Sequence, residues 1–314
     1  MAMNKTTSTN LTATMQTYYD RKMLLDMKPR LLHYQYGQKR ILPRNEGNTV
    51  SFRKWTPFAA ATTALTEGVV PEGQDLAMTS VNAVVKQYGG YVTVSDALDL
   101  TALDPVINDA VELMANQGAL SIDHLTRTEL LTGTNVLYTN AKTSRATLTA
   151  VDKLTTKELR KAVRLLKHNR APQVLRGGKG YYVAIVGPDA IYDLQEDALW
   201  QDVSKYQDSE QIYSGEIGRL FGCIVVETPE AAVFSGAGVS GANVAATLVF
   251  GKDAYGVVDI EGENVRAIVK PAGSAGTADP LDQMSTVGWK ASGFAARILQ
   301  NAWLVRIESG ISAG

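Results

Sequence analysis

The sequence predicts an α+β fold, and three observations carry that reading. One long amphipathic pattern covers residues 104–132. Short strand-like runs follow one another from residue 181 onward, with one brief helical interruption. Residues 46–95 hold two alternating runs separated by about twenty residues without clear periodicity. The chain has 314 residues, 45% of them hydrophobic, which is enough to bury a core of ordinary size.

From the start of the chain, residues 1–15 are rich in Thr, Ser and Asn, have little to bury, and read as a flexible arm. Tyr18, Tyr19, Met23, Leu24, Met27, Leu31 and Leu32 recur at helical spacing, and Pro29 predicts a break followed by extended chain. The runs at 48–58 and 79–95 alternate as strands do, with Gly89-Gly90 as an expected bulge or bend. Together, 46–95 read as a two-stranded loop projecting from the body. Such a ribbon is at best marginal alone, so a neighbouring subunit is the natural support. Trp55 and Phe58, large aromatics in an otherwise small and polar loop, are the candidate contacts to that neighbour.

Asp104 is a good N-cap and Pro105 suits the first position of the helix 104–132, which Gly133 closes. Its apolar face is Val106, Ile107, Ala110, Val111, Met114, Gly118, Ile122 and Leu125, and a rod of this length measures roughly 43 Å. A second amphipathic helix is expected over 155–168, a buried strand over 181–187, and a short helix from Pro188 to Leu194. Strands follow at 222–228, 245–251, 255–260 and 263–270. The closing segment VGWKASGFAARILQNAWLVRIES alternates and completes a sheet.

Charge and cysteine content narrow the function. Lys and Arg total 31 against 32 Asp and Glu, a net charge of -1, which disfavours a globally basic nucleic-acid binder. The segment 16–45 departs from this balance. It carries Arg21, Lys22, Lys28, Arg30, Lys39, Arg40 and Arg44 against Asp20 and Asp26. This basic arm reads either as a solvated face with intersubunit ion pairs or as non-specific contact with nucleic acid. The first reading is preferred, because no aromatic stacking element accompanies the charge. Cys223 is the sole cysteine, so no internal disulfide or cysteine cluster is expected. No run has a transmembrane or signal-peptide pattern, which leads us to expect a soluble protein made in a reducing compartment.

Catalytic patterns are matched only as text. Gly236-x-Gly238-x-x-Gly241 is followed by a strand-like run rather than a helix N-terminus, so it reads as a mobile surface loop that tolerates insertion. Gly177-Gly178-Lys179 lacks the flanking residues of a phosphate loop and reads as a turn. His33, His124 and His168 sit on separate elements without metal-ligand spacing and read as surface or helix-end residues, His168 suiting a helix C-terminus. Cys223, beside Ile224-Val225-Val226, reads as a buried inert thiol. The acidic pairs Glu196/Asp197 and Glu261/Glu263 read as solvated charges. No catalytic residue, metal or cofactor is expected.

Several stretches taken in order resemble the major capsid proteins of tailed phages of the phage N-four type. They are LTATMQTYYDRKMLLDMKPRLLHYQYGQKRILPRNEGNTVSFRKWTPF, ALTEGVVPEG, YGGYVTVSDALDLTALDPV, YYVAIVGPDAIYDL, EIGRLFGCIVVET and WKASGFAARILQNAWLVRIES, spanning about residues 10–308. The resemblance implies the HK-ninety-seven-like (Johnson) capsid fold. In its terms 1–45 is the N-terminal arm, 46–95 the extended loop, and 96–154 a peripheral domain with the spine helix 104–132. Residues 155–260 are the axial domain and 261–314 the return strands of the peripheral domain.

The same resemblance implies hexamers and pentamers of this chain in an icosahedral virion shell around double-stranded DNA, assembled in the bacterial host cytoplasm, with no membrane partner. Only about fifteen polar residues precede the arm, so a separate scaffolding protein is expected beside a portal. Lys54 lies in the loop where some relatives cross-link, but no catalytic acid accompanies it. An encapsulin-like nanocompartment shell is the rival of the same fold. A nucleotide-dependent enzyme resting on Gly236–Gly241 is the rival of another class.

Overall fold

The computed structural model describes residues 31–43, 45–56, 58–65, 67–68, 70, 73–101, 106–200, 216–260, 265–274 and 279–312. Two sheets and one long helix organise them. The first sheet joins β1 (Gln38–Leu42), β12 (Tyr255–Ile260), β14 (Met284–Ile298) and β13 (Arg266–Lys270) in that order, with β4 (Lys86–Ser95) also on β14. The second runs β5 (Val136–Tyr138), β15 (Leu304–Gly310), β11 (Val244–Phe250), β7 (Lys179–Val186), β9 (Cys223–Glu227), β8 (Glu216–Leu220). Two short strands extend it: β6 (Val174–Arg176) on β7 and β10 (Val233–Phe234) on β11. A separate ribbon pairs β2 (Thr49–Trp55) with β3 (Met78–Val84).

The long helix α3 (Val106–Leu130) buries Ala110, Val111, Ala115, Gly118, Ala119, Ile122, Asp123, Thr126 and Leu130. This stripe recurs every three or four residues, and its small members let the helix lie close on β14 and β4. At about 1.5 Å per residue it measures some 37 Å. Asp104 and Pro105 fall outside the described residues. Met114 and Leu125 of the expected face are only partly buried.

In β7 the alternation separates two cores. Val183 and Ile185 face α3 and the first sheet, while Tyr182, Ala184 and Val186 face α4 (Thr156–His168) and α5 (Pro188–Gln195). Both faces are covered, which is why the run from Tyr182 to Val186 is apolar without interruption. A two-residue turn at Gly177-Gly178, both at positive φ (56° and 76°), connects β6 to β7 with Arg176 opposite Lys179.

Several expectations change. The ribbon ends at Val84 and does not extend to residue 95. After Val85 the chain enters β4, a member of the first sheet, and α2 (Asp96–Thr101) follows it. Gly89 and Gly90 pair regularly with Lys290 and Trp289, and the irregularity lies on the partner strand between Ala291 and Phe294. Gly89 is needed for close approach, because a Cβ there would meet the Trp289 carbonyl oxygen of the partner strand at 2.7 Å. The closing segment forms two strands in different sheets, β14 in the first and β15 in the second. Sheet pairing thus cuts across the expected boundaries: Tyr255–Ile260 joins the first sheet and Leu304–Gly310 the second.

Candidate functional site

The ribbon is anchored at its base and bare beyond it. Val50, Phe52 and Ala83 are buried with Leu42, Val258 and Ala295 of the first sheet. Burial stops at Phe52, and every described residue from Arg53 to Ser80 is exposed. Trp55 is 59% exposed, Phe58 54%, Leu65 79%, Val70 91% and Leu76 70%. Exposed apolar residues gathered in one segment of this kind mark an interaction surface.

The arm reaches the body through a one-turn helix, α1 (Leu32–Gln35), followed by β1, which runs parallel to β12. Leu31 at its N-cap offers no side-chain acceptor, so the free amides find one elsewhere. Asp123 of α3 supplies it: Oδ1 accepts from the backbone N–H groups of His33 (2.7 Å) and Tyr34 (3.4 Å), and Oδ2 lies 2.6 Å from His33 Nδ1. Both His33 and Asp123 are fully buried, so the expectation of a surface histidine is corrected. The Tyr255 hydroxyl donates to the His33 carbonyl and the Tyr34 hydroxyl to Asp259. Burial raises the pKa of the Asp259 carboxyl, a rise that its bond from Tyr34 and the nearby Lys39 offset in part.

Of the expected basic arm, Lys39 and Arg40 are described and exposed on β1. Lys39 lies 4.9 Å from the centre of the Tyr34 ring, and Arg40 lies 5.4 Å from that of Phe52, at the ribbon base. Arg21, Lys22, Lys28, Arg30 and Arg44 lie outside the described residues. Trp55 and Phe58 sit beyond the anchored base, with their side chains exposed.

A buried charge cluster ties the second sheet to the end of α3. Glu308, fully buried in β15, accepts two hydrogen bonds from Arg145 (Nε–Oε2 2.8 Å, Nη2–Oε1 2.7 Å), and Arg306 Nε lies 2.8 Å from Oε1 as an ion pair without hydrogen-bond alignment. Arg145 packs over Phe234 at 3.4 Å, and Arg306 donates to the Leu131 carbonyl just past the helix C-terminus. The bonds that Arg145 donates to Glu308 raise its pKa. The sequence reading missed this cluster and the His33–Asp123 pair. An acidic residue inside an apolar strand, as in LVRIES, was the available signal for the first.

The textual motifs resolve into structure. The Gly236–Gly241 segment leads into a strand and is held down: Val239 N–H donates to Leu148 O at 2.7 Å and Gly238 N–H to Ala242 O at 2.9 Å. The segment 235–243 lies at the surface as expected, with Val239 tied to Leu148. Cys223 is buried, and burial pushes its thiol up to about 12. Asp197 is no free charge. It accepts from the amide (2.9 Å) and hydroxyl (2.7 Å) of Thr156 at the start of α4. Burial opposes ionisation there, but these bonds outweigh it and hold its pKa below the usual value. Glu196 pairs with Lys153 at 2.7 Å. His124 lies 2.5 Å from Glu230, and His168 is exposed at the end of α4. Glu261 and Glu263 lie outside the described residues. Among those described, no helix is long and apolar enough to cross a membrane, and no cluster of metal-ligating side chains is present.

Comparison with known proteins places this architecture. A family model described as phage capsid protein matches residues 78–307. The fold is similar to the capsid of Ralstonia phage GP4 (TM-score 0.68, 16% identity, 88% of each chain). It is also similar to the capsid of cyanophage P-SCSP1u (0.65, 14%, 88% of this chain and 87% of that one) and to cyanophage Pam1 (0.63, 15%, 91% and 93%). A search of curated proteins found no match.

Proposed function

Because the chain belongs to the phage capsid protein family, and is a structural component of a virion shell, we propose that its bare ribbon is the part that locks neighbouring subunits together. The nanocompartment alternative is not favoured by this membership. In the proposed assembly the chain forms hexamers and pentamers of an icosahedral shell around double-stranded DNA, put together in the host cytoplasm on a separate scaffolding protein and closed by a portal. The protein has no catalytic task in this reading. The arm (1–45), the ribbon that ends at Val84, the axial body and the peripheral body with its spine helix act as the working parts.

One observation carries the proposal: a ribbon firmly seated at Phe52 that leaves Trp55, Phe58, Leu65, Val70 and Leu76 uncovered. Burying a large apolar side chain is worth roughly 1.5–3 kcal/mol, so a neighbour that covers this segment gains several such increments. The Trp55→Ala/Phe58→Ala variant is expected to fold with stability within about 0.5 kcal/mol of the parent, because neither side chain is buried in the subunit. Its yield of shells on a sucrose gradient should fall tenfold or more. Shells in parental yield would refute the assignment.

The arm's charge is proposed to dock on a neighbour. Neutralising Arg21, Lys22, Lys28 and Arg30 together should abolish shell formation. Normal shells that package DNA poorly would assign the arm to DNA instead, and normal shells with normal packaging would leave its charge without a role.

A further inference from the structure

We propose that the basic face of α4 is a binding surface for the phosphate backbone of packaged duplex DNA. This rests on the capsid reading above and identifies a second, independent surface. The helix buries Leu159, Ala162, Val163 and Leu166, and turns Lys157, Arg160, Lys161, Arg164 and Lys167 to the other side. These cations recur every three or four residues and line one shallow recess with Val163 and Phe221. The single acidic residue of the helix, Glu158, is buried and engages Lys161 alone, at 2.9 Å. Among the described residues, Lys157, Arg160, Arg164 and Lys167 make no ion pair. Five positive side chains in thirteen residues stand out in a chain of net charge -1.

The chemistry favours nucleic acid over a protein partner. A protein interface is built around a desolvated apolar or aromatic centre with charge at its rim. Here the one exposed aromatic, Phe221, has Arg160 4.9 Å from its ring centre, so the recess presents guanidinium and ammonium groups instead. From Lys157 to Lys167 the row runs about 15 Å along the helix, a length over which duplex DNA carries roughly nine phosphate charges. The proposed contact is to phosphate oxygens, which carry no sequence information, so it is electrostatic and independent of sequence.

The test is a titration of a fluorescent 30-base-pair duplex with the unassembled full-length chain across a series of salt concentrations. Wild type is compared with the variant Lys157→Gln/Arg160→Gln/Arg164→Gln/Lys167→Gln. A charge-matched control carries Lys179→Gln/Lys252→Gln/Lys270→Gln/Lys290→Gln. Circular dichroism checks the folding of each. The α4 variant should bind at least about tenfold more weakly at 50 mM salt, and its log K against log salt slope should shrink by about 3–4, as four lost phosphate contacts require. The control should retain most of the binding. Equal affinity and slope in the α4 variant and wild type would overturn the proposal. So would an α4 variant that keeps DNA binding but no longer forms shells, because the face would then serve an acidic protein surface. Failure of wild type itself to form shells would count against the capsid assembly and leave the DNA result to be read on its own.

Discussion

Replacing Glu308 by alanine is expected to lower the stability of the subunit by about 3–5 kcal/mol, the usual cost of breaking a buried ion pair by removing one partner. The carboxylate is fully buried, and the Arg306 side chain is 11% exposed. Without Glu308 the Arg306 guanidinium stays in the interior with only the Leu131 carbonyl for company. Arg145 is 33% exposed and can turn to water. The loss therefore falls mainly on Arg306, and adding Arg145→Ala to Glu308→Ala should cost little more. Urea unfolding of the unassembled chain measures both. A Glu308→Ala loss below about 1 kcal/mol would mean that Arg306 finds solvent in the variant. Full additivity of the two changes would mean that the groups do not act as a unit.

Asp123→Ala should have an effect of similar size but different reach. It leaves the amides of His33 and Tyr34 and the His33 ring without their acceptor, and each buried group so orphaned costs about 1–3 kcal/mol. The damage is local, because Asp123 fastens one short segment to the long helix. Residues 31–42 should open more often while the sheets stay intact. Lys39 and Arg40 are already exposed, so trypsin should cut after them at least about tenfold faster in Asp123→Ala, as a local opening of this cost implies. Asp123→Asn keeps an acceptor for the two amides and should lie between wild type and alanine. Unchanged cleavage in Asp123→Ala would show that the arm is held by β1 and Tyr34 alone.

Local patterns were legible where one element decided its own form. The apolar run at 181–187, the proline that opens 188–195, and the helix 156–168 after Thr155 each show in a short window. What the sequence hid depends on partners far along the chain. His33 and Asp123 are 90 residues apart, and a lone histidine carries no mark of the carboxylate it will meet. The strands Met78–Val84 and Lys86–Ser95 alternate alike and are separated only by Val85, so nothing local says that one stays in the ribbon and the next joins a sheet. Trp55 and Phe58 stand out in the sequence as large aromatics in a small and polar loop, and both side chains are exposed in the subunit. The cations of α4 recur at helical spacing in the sequence, but an amphipathic helix normally has a charged outer face, and only the burial of Glu158 makes that face one-signed.

The place of β15 bears on how the protein is made. The strand lies between β11 and β5, and among the described residues it is the one partner of β5 in the sheet. Asn135, which leads into β5, bonds to Leu304, 169 residues later. At a synthesis rate of about 5–20 residues per second, the ribosome needs on the order of 10–30 s to cover that interval. Through that interval β5 and the end of α3 lack their partner, Arg145 lacks Glu308 for nearly all of it, and the edge of β11 stays unpaired from its own synthesis until β15 follows. A nascent subunit therefore has neither a finished second sheet nor a settled long helix until β15 has emerged from the exit tunnel. Any surface built on the second sheet is therefore complete only once this late strand has joined it.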